Sequence, residues 1–175
     1  MSVNEELHEN AEHANDPFTR RAGATMAIIA ACLAVVAVSG HISTTEELLL
    51  QQKASDQWAY YQAKSLRRYQ SDVARDIFAA LPGEAAVKGA EKYKTNLERY
   101  EKEGEQIQEK AREFEAESGL MGHRALRFHF GEVFLELAIV FSSLAILTRR
   151  SMFFAAGIVG AVIGIVVGAS AALLH

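Results

Sequence analysis

Cysteine is nearly absent from this chain. Among 175 residues only Cys32 carries a thiol, so no internal disulfide can form and no cysteine cluster exists for zinc. Proline is almost as scarce, and Pro17 and Pro82 both stand where a helix would begin. The signatures of common enzyme classes are missing: no glycine-rich phosphate loop, no nucleophile elbow and no His-Glu-x-x-His occurs. The net charge of −4 supplies no basic excess for nucleic acid. Neither an internal repeat nor a low-complexity tract is visible. These absences point away from an enzyme and give no reason to expect a cofactor, a resident metal or a nucleic-acid partner.

What the chain has in quantity is apolar length. Three runs, roughly Ala22–Ser39, Phe128–Leu147 and Met152–Leu174, are almost free of charge. Each approaches the roughly 20 residues that a helix needs to cross a hydrocarbon core about 30 Å thick. The expected fold is therefore all-α: an integral membrane protein with three transmembrane helices, at 17–40, 123–148 and 151–174, and membrane lipid as its first partner. Ahead of the first span, residues 1–16 form an acidic arm with Glu5, Glu6, Glu9, Glu12 and Asp16 and no Lys or Arg. Such a segment is expected to stay solvated. Arg20, Arg21 and the small-residue site Ala37-Val38-Ser39 imitate a signal peptide. An acidic leader ahead of the arginines is foreign to that pattern, so the run reads as a retained anchor.

Between spans one and two lies a charged insert, 41–122, with its tip at 81–83. Leu81-Pro82-Gly83 divides it into two arms, which suggests a long antiparallel helical hairpin. In the second arm Val87, Ala90, Tyr93, Leu97, Tyr100, Gly104, Ile107, Ala111 and Phe114 recur at alternating steps of three and four, as a coiled-coil seam does. The first arm's apolar face reads as Ala59, Ala63, Leu66, Val73 and Ile77, with Trp58, Tyr61 and Tyr69 beside it. Each arm would extend roughly 50 Å at about 1.5 Å per residue. Asp16-Pro17 is an N-cap followed by proline at the first helical position. Thr44-x-x-Glu47 offers a capping box for a new helix, although span one is equally free to run on. Ser118-Gly119-Leu120-Met121-Gly122 reads as a flexible joint, and Thr148–Ser151 as a very short turn.

Positive residues near span ends favour the cytoplasmic side. Arg20–Arg21 and Arg149–Arg150 agree on a cytoplasmic N-terminus and turn, leaving the hairpin and His175 outside; Arg124 and Arg127 argue the opposite way.

Two features within the spans invite closer reading. Span three carries Gly160, Gly164 and Gly168 four apart, extended by Ala156 and Ala172. Small residues at that spacing let helices approach closely. The expected neighbour is span one, through Gly23, Ala27, Ala30 and Ala34, with a second subunit as the alternative. Span two holds His129, Glu132 and Glu136 on one helical face. Ionisable groups at membrane depth point to a partner, a cavity or an ion path, so these three form a candidate ion or proton site. The milder reading leaves His129 and Glu132 at the headgroups and pairs Glu136 with an arginine. His41, His123, His129 and His175 would share one surface but match no known ligand spacing.

The block Ala54–Lys64 (ASDQWAYYQAK), with Leu147-Thr148-Arg149-Arg150 much later, resembles a family of small bacterial three-span membrane proteins classed as a domain of unknown function. The resemblance implies a bacterial inner-membrane setting and the span–hairpin–span–span plan, and no activity. It singles out Asp56, Gln57, Trp58, Tyr61, Gln62 and Lys64 as an interaction patch, facing either the second arm or a neighbouring subunit. The expectation from all of this is a structural or interaction role. The chain would be a homo-oligomer, or an accessory subunit of another membrane-protein complex; an ion channel or transport component with Glu136 facing the path is the alternative.

Overall fold

Asp16 starts the first helix as its spacing predicts. Its carboxylate accepts from the Phe18 amide at 3.3 Å, a donor that a helix start leaves open, and from the Thr19 hydroxyl at 3.2 Å. The computed structural model describes residues 16–174; the rest of the acidic arm and His175 lie outside the described residues. All three elements are α-helices: α1 Pro17–Ala80, α2 Glu84–Thr148 and α3 Ser151–Ala172. Each contains a stretch long and apolar enough to cross a membrane, which suggests membrane association.

The chain belongs to α1 through the whole of 17–80, so Thr44 caps nothing. Its hydroxyl instead donates to the Gly40 carbonyl one turn back at 3.0 Å, and Ser39, Ser43 and Thr45 bond in the same manner. The expected joint at 118–122 is likewise helical. Two glycines cost a helix about 1 kcal/mol each relative to alanine. Breaking it would open up to four amides and four carbonyls on the two sides of the gap, and the intact ladder wins.

The described residues form two compact units, Glu46–Gly119 and the segments on either side of it. In the hairpin unit the turn falls at 81–83, where Gly83 adopts φ +109°, a value costly for any residue with a Cβ. The arms run antiparallel. Phe78 stacks on Tyr93 at 5.6 Å between ring centres, Tyr61 packs at Gly104, and Trp58 donates to Glu115 at 2.8 Å. Most of the predicted second-arm seam is buried or half-buried, from Ala90 to Phe114; Val87 is exposed, and Ala86 is buried in its place. The first arm departs from expectation. Leu66, Val73 and Ile77 are 59%, 60% and 57% exposed, so they do not face the second arm. The side that does carries Tyr61, Lys64 and Arg68, whose long side chains reach across and fill the seam with their stems.

In the three-helix unit Ile29, Leu135, Ala138 and Ala161 form the core, flanked by Cys32, Leu33, Val36 and Ile139. Arg149 and Arg150 alone separate α2 from α3. Arg149 takes a left-handed φ of 53°, which turns the chain back at once and lays α3 along α2. At the other end, Arg124 Nε donates to the Ala171 carbonyl and Arg127 Nη1 to the Ser170 carbonyl, both at 3.3 Å. The Leu173 and Leu174 amides also donate to these two carbonyls, so the guanidinium groups add a second donor to each where the helix dipole is negative.

Candidate functional site

The α2–α3 contact is built on missing side chains. A Cβ placed on Gly131 would lie 2.9 Å from the Gly164 carbonyl oxygen and 3.0 Å from the Gly168 nitrogen. One on Gly164 would lie 2.8 Å from both the Gly131 oxygen and Leu135 Cγ. One on Gly157 would meet Ser142 Oγ at 2.7 Å. The backbones therefore touch, as small residues permit between membrane helices.

This corrects the predicted stripe in two respects. The buried small residues of α3 are Gly157, Ala161, Gly164, Gly168 and Ala171, at steps of four and three. Ala172 is exposed, while Ala156 and Gly160 are half-buried at the edge. A row taken every four residues drifts around a helix of 3.6 per turn, whereas alternating three and four follows a straight antiparallel seam. The neighbour also differs. Gly157, Gly160 and Gly164 face α2, while Gly168 approaches α1 at Val36 and Ala161 shares the core with Ile29 of α1. Ala27, Ala30 and Ala34 are exposed, and nothing lies within 4 Å of a Cβ on Gly23.

The three ionisable residues of the second apolar run separate into two sets. His129 Nδ1 lies 3.3 Å from Glu132 Oε2, and its Nε2 lies 3.5 Å from the Thr44 hydroxyl on α1. The imidazole therefore links two helices. Glu136 is not part of this link. It is exposed, beside the exposed Val133, Leu137 and Val140, and makes no hydrogen bond or ion pair with any described residue. The expected arginine partner is absent because Arg124 and Arg127 are engaged at the end of α3. Among the described residues no three His, Cys, Asp or Glu side chains are grouped to hold a metal.

The predicted hairpin patch does not form one surface. Trp58, Tyr61 and Lys64 turn toward the second arm: Trp58 meets Tyr61 edge-to-face at 5.9 Å, and Lys64 pairs with Glu103. The Lys64 ammonium also lies 5.4 Å from the ring centres of Tyr60 and Tyr100. Gln57 lines an open groove with Tyr60, Lys64 and Glu103. Asp56 accepts from Gln52 at 3.1 Å and is exposed, as is Gln62. Sequence reasoning did not foresee Glu103 or Tyr100 as partners of Lys64, because their pairing depends on the register of the two arms.

The Lys64–Glu103 contact sets a pH dependence. The hydrogen bond from Lys64 holds the Glu103 carboxyl below its ordinary value of 4.5, and the same bond holds Lys64 above its ordinary 10.5, with burial opposing each. A depressed carboxylate stabilises fully above its unfolded value and loses that contribution as pH falls through the folded one. A raised lysine stabilises fully below its unfolded value and loses it as pH rises through the folded one. The destabilisation caused by Glu103→Gln should therefore be constant across neutral pH and shrink below about 4.5. Denaturant midpoints of the two proteins along a pH series would show it; a gap that stays unchanged into acid would contradict the assignment.

A family model described as a domain of unknown function (DUF4337) matches residues 18–174, nearly the whole chain. The chain belongs to that family. The match takes in all three helices of this DUF4337 member, from the first turn of α1 past the end of α3. No curated protein and no solved structure matches the chain.

Proposed function

We propose that this DUF4337 member is a membrane-anchored assembly protein of the bacterial inner membrane, working as a homo-oligomer or as an accessory subunit. One observation carries the reading: Glu136 is exposed within an apolar run and has no partner among the described residues. It sits about 12 Å along α2 from Phe128 and about 18 Å from Thr148, at about 1.5 Å per residue. A charged side chain at that depth costs about 3 kcal/mol or more against lipid, and such groups usually face protein or water. Among the described residues no protein group covers Glu136, so a second chain supplies the cover.

The two arginine pairs, Arg20–Arg21 and Arg149–Arg150, favour a cytoplasmic N-terminus and α2–α3 turn, with the hairpin outside. Arg124 and Arg127, the opposing residues, have a structural use at the end of α3 and weigh less in the count.

In mild detergent the protein should have the mass of a discrete oligomer or of a complex with a co-purifying partner, and Glu136→Leu should shift that mass toward the monomer. A wild-type protein that is a clean monomer, measured by light scattering at several concentrations, would sink the reading.

The same carboxyl favours a second reading, an oligomeric ion channel with Glu136 facing the path. Cation flux into proteoliposomes that disappears with Glu136→Gln would support it. Absence of flux from the assembled wild type would remove it.

A further inference from the structure

The first arm of the hairpin turns its apolar side outward. Toward the second arm it presents Trp58, Tyr61, Lys64, Arg68 and Phe78, with Lys64 paired to Glu103, Arg68 to Glu101, and Phe78 stacked on Tyr93. Away from it stand Ala59, Ala63, Leu66, Gln70, Val73 and Ile77, all exposed. Their positions advance by four, three, four, three and four, the rhythm of a coiled-coil seam. A helix that exposes a second, charge-free seam beside the one it uses internally lacks a partner for it among the described residues.

We propose that the occupant of this seam is the first arm of a second copy, lying parallel and in register. The inference rests on the membrane-anchored assembly proposed above, because anchoring in one bilayer gives every copy the same direction. Parallel pairing then sets each residue opposite its own counterpart, where any charge would repel itself. The seam carries no charged residue from 59 to 80. Its one large polar member, Gln70, has an amide that both donates and accepts, so two copies satisfy each other. A single polar residue in such a seam fixes register at some cost in stability. The flanks are compatible as well. In heptad geometry Arg67 comes beside Gln62 of the second copy and Tyr69 beside Ala74, so no like charges meet. The second arm offers no rival seam, since its outward positions include Glu98, Lys102, Glu105 and Glu109.

The test uses the full chain in its membrane, with Cys32→Ala as background and single cysteines introduced by Leu66→Cys, Val73→Cys or, as a control on the second arm, Lys102→Cys. Mild oxidation should convert most of the Leu66→Cys and Val73→Cys proteins to covalent dimers and leave Lys102→Cys monomeric. Adding Leu66→Asp to Val73→Cys should abolish that dimer, because the new carboxylates oppose each other. Mass measured on the background protein separates the possible failures. An oligomer whose seam cysteines do not link overturns the seam and leaves the assembly reading standing. A monomer overturns both. Seam cysteines that link to a protein other than this one overturn the second copy as occupant.

Discussion

Gly164→Leu should be the most damaging single substitution in the three-helix unit. The first atom of the new side chain would lie 2.8 Å from the Gly131 carbonyl oxygen and 3.1 Å from the Leu135 amide nitrogen. Both are backbone atoms and cannot rotate away, so α2 and α3 must move apart along their length. Overpacking of this kind costs about 1–3 kcal/mol and occasionally more. Here the loss extends to neighbouring small-residue contacts, because helices in lipid associate largely through close dispersion contacts that lipid does not replace. The expected result is a large fall in thermal midpoint, followed by circular dichroism in detergent, with helix content retained below the transition. Gly23→Ala is the matched control. Nothing lies within 4 Å of its new methyl, and alanine is the better helix former by about 1 kcal/mol. If Gly164→Leu melts where the wild type does, the backbone contact is not what holds α3.

Leu135→Ala should produce the second largest loss, by the opposite route. Leu135 is fully buried and belongs to the core shared by the three helices. Truncations of this type cost about 2–5 kcal/mol, made up of a transfer part and a cavity part. For the membrane-anchored protein proposed above, the unfolded reference also surrounds leucine with hydrocarbon, so the cavity part dominates and a loss near 2 kcal/mol is expected. The pair also predicts a coupling. Leu135 Cγ is one of the two atoms that an alanine at Gly164 would strike at 2.8 Å. Leu135→Ala and Gly164→Ala together should therefore cost less than their sum. Relief stays partial, because the Gly131 oxygen remains in place. Strict additivity in a double-mutant cycle would mean that the two side-chain positions do not meet.

Local signals in the sequence carried most of the fold. Asp16 before Pro17 marked the start of α1, Leu81-Pro82-Gly83 marked the turn, and the three apolar runs lie in the three helices. Pairing was harder to read, for a physical reason. The first arm has two faces at steps of three and four, and the apolar one looked like the internal seam. The structure fills the inner seam with Tyr61, Lys64 and Arg68 instead, residues whose apolar stems pack while their polar ends find Glu103 and Glu101. Span three met a similar ambiguity. Both α1 and α2 offer small residues, and composition does not choose between them. The two-residue turn at 149–150 favours α2, since a connection that short makes consecutive helices neighbours. Glu136 was legible as an ionisable group in an apolar run. Its isolation was not, because that depends on where Arg124 and Arg127 point.

Those two arginines bear on how the chain is made. The carbonyls they cover belong to Ala171 and Ser170, 47 and 43 residues further along. Synthesis therefore produces the guanidinium donors before the helix end that they hold. With only Arg149 and Arg150 between the two helices, α3 can fold back onto α2 as it emerges, and its last turn docks onto side chains already in position. The final helix would then join a surface prepared in advance, and for the membrane-anchored protein proposed above the two would enter the bilayer as one unit.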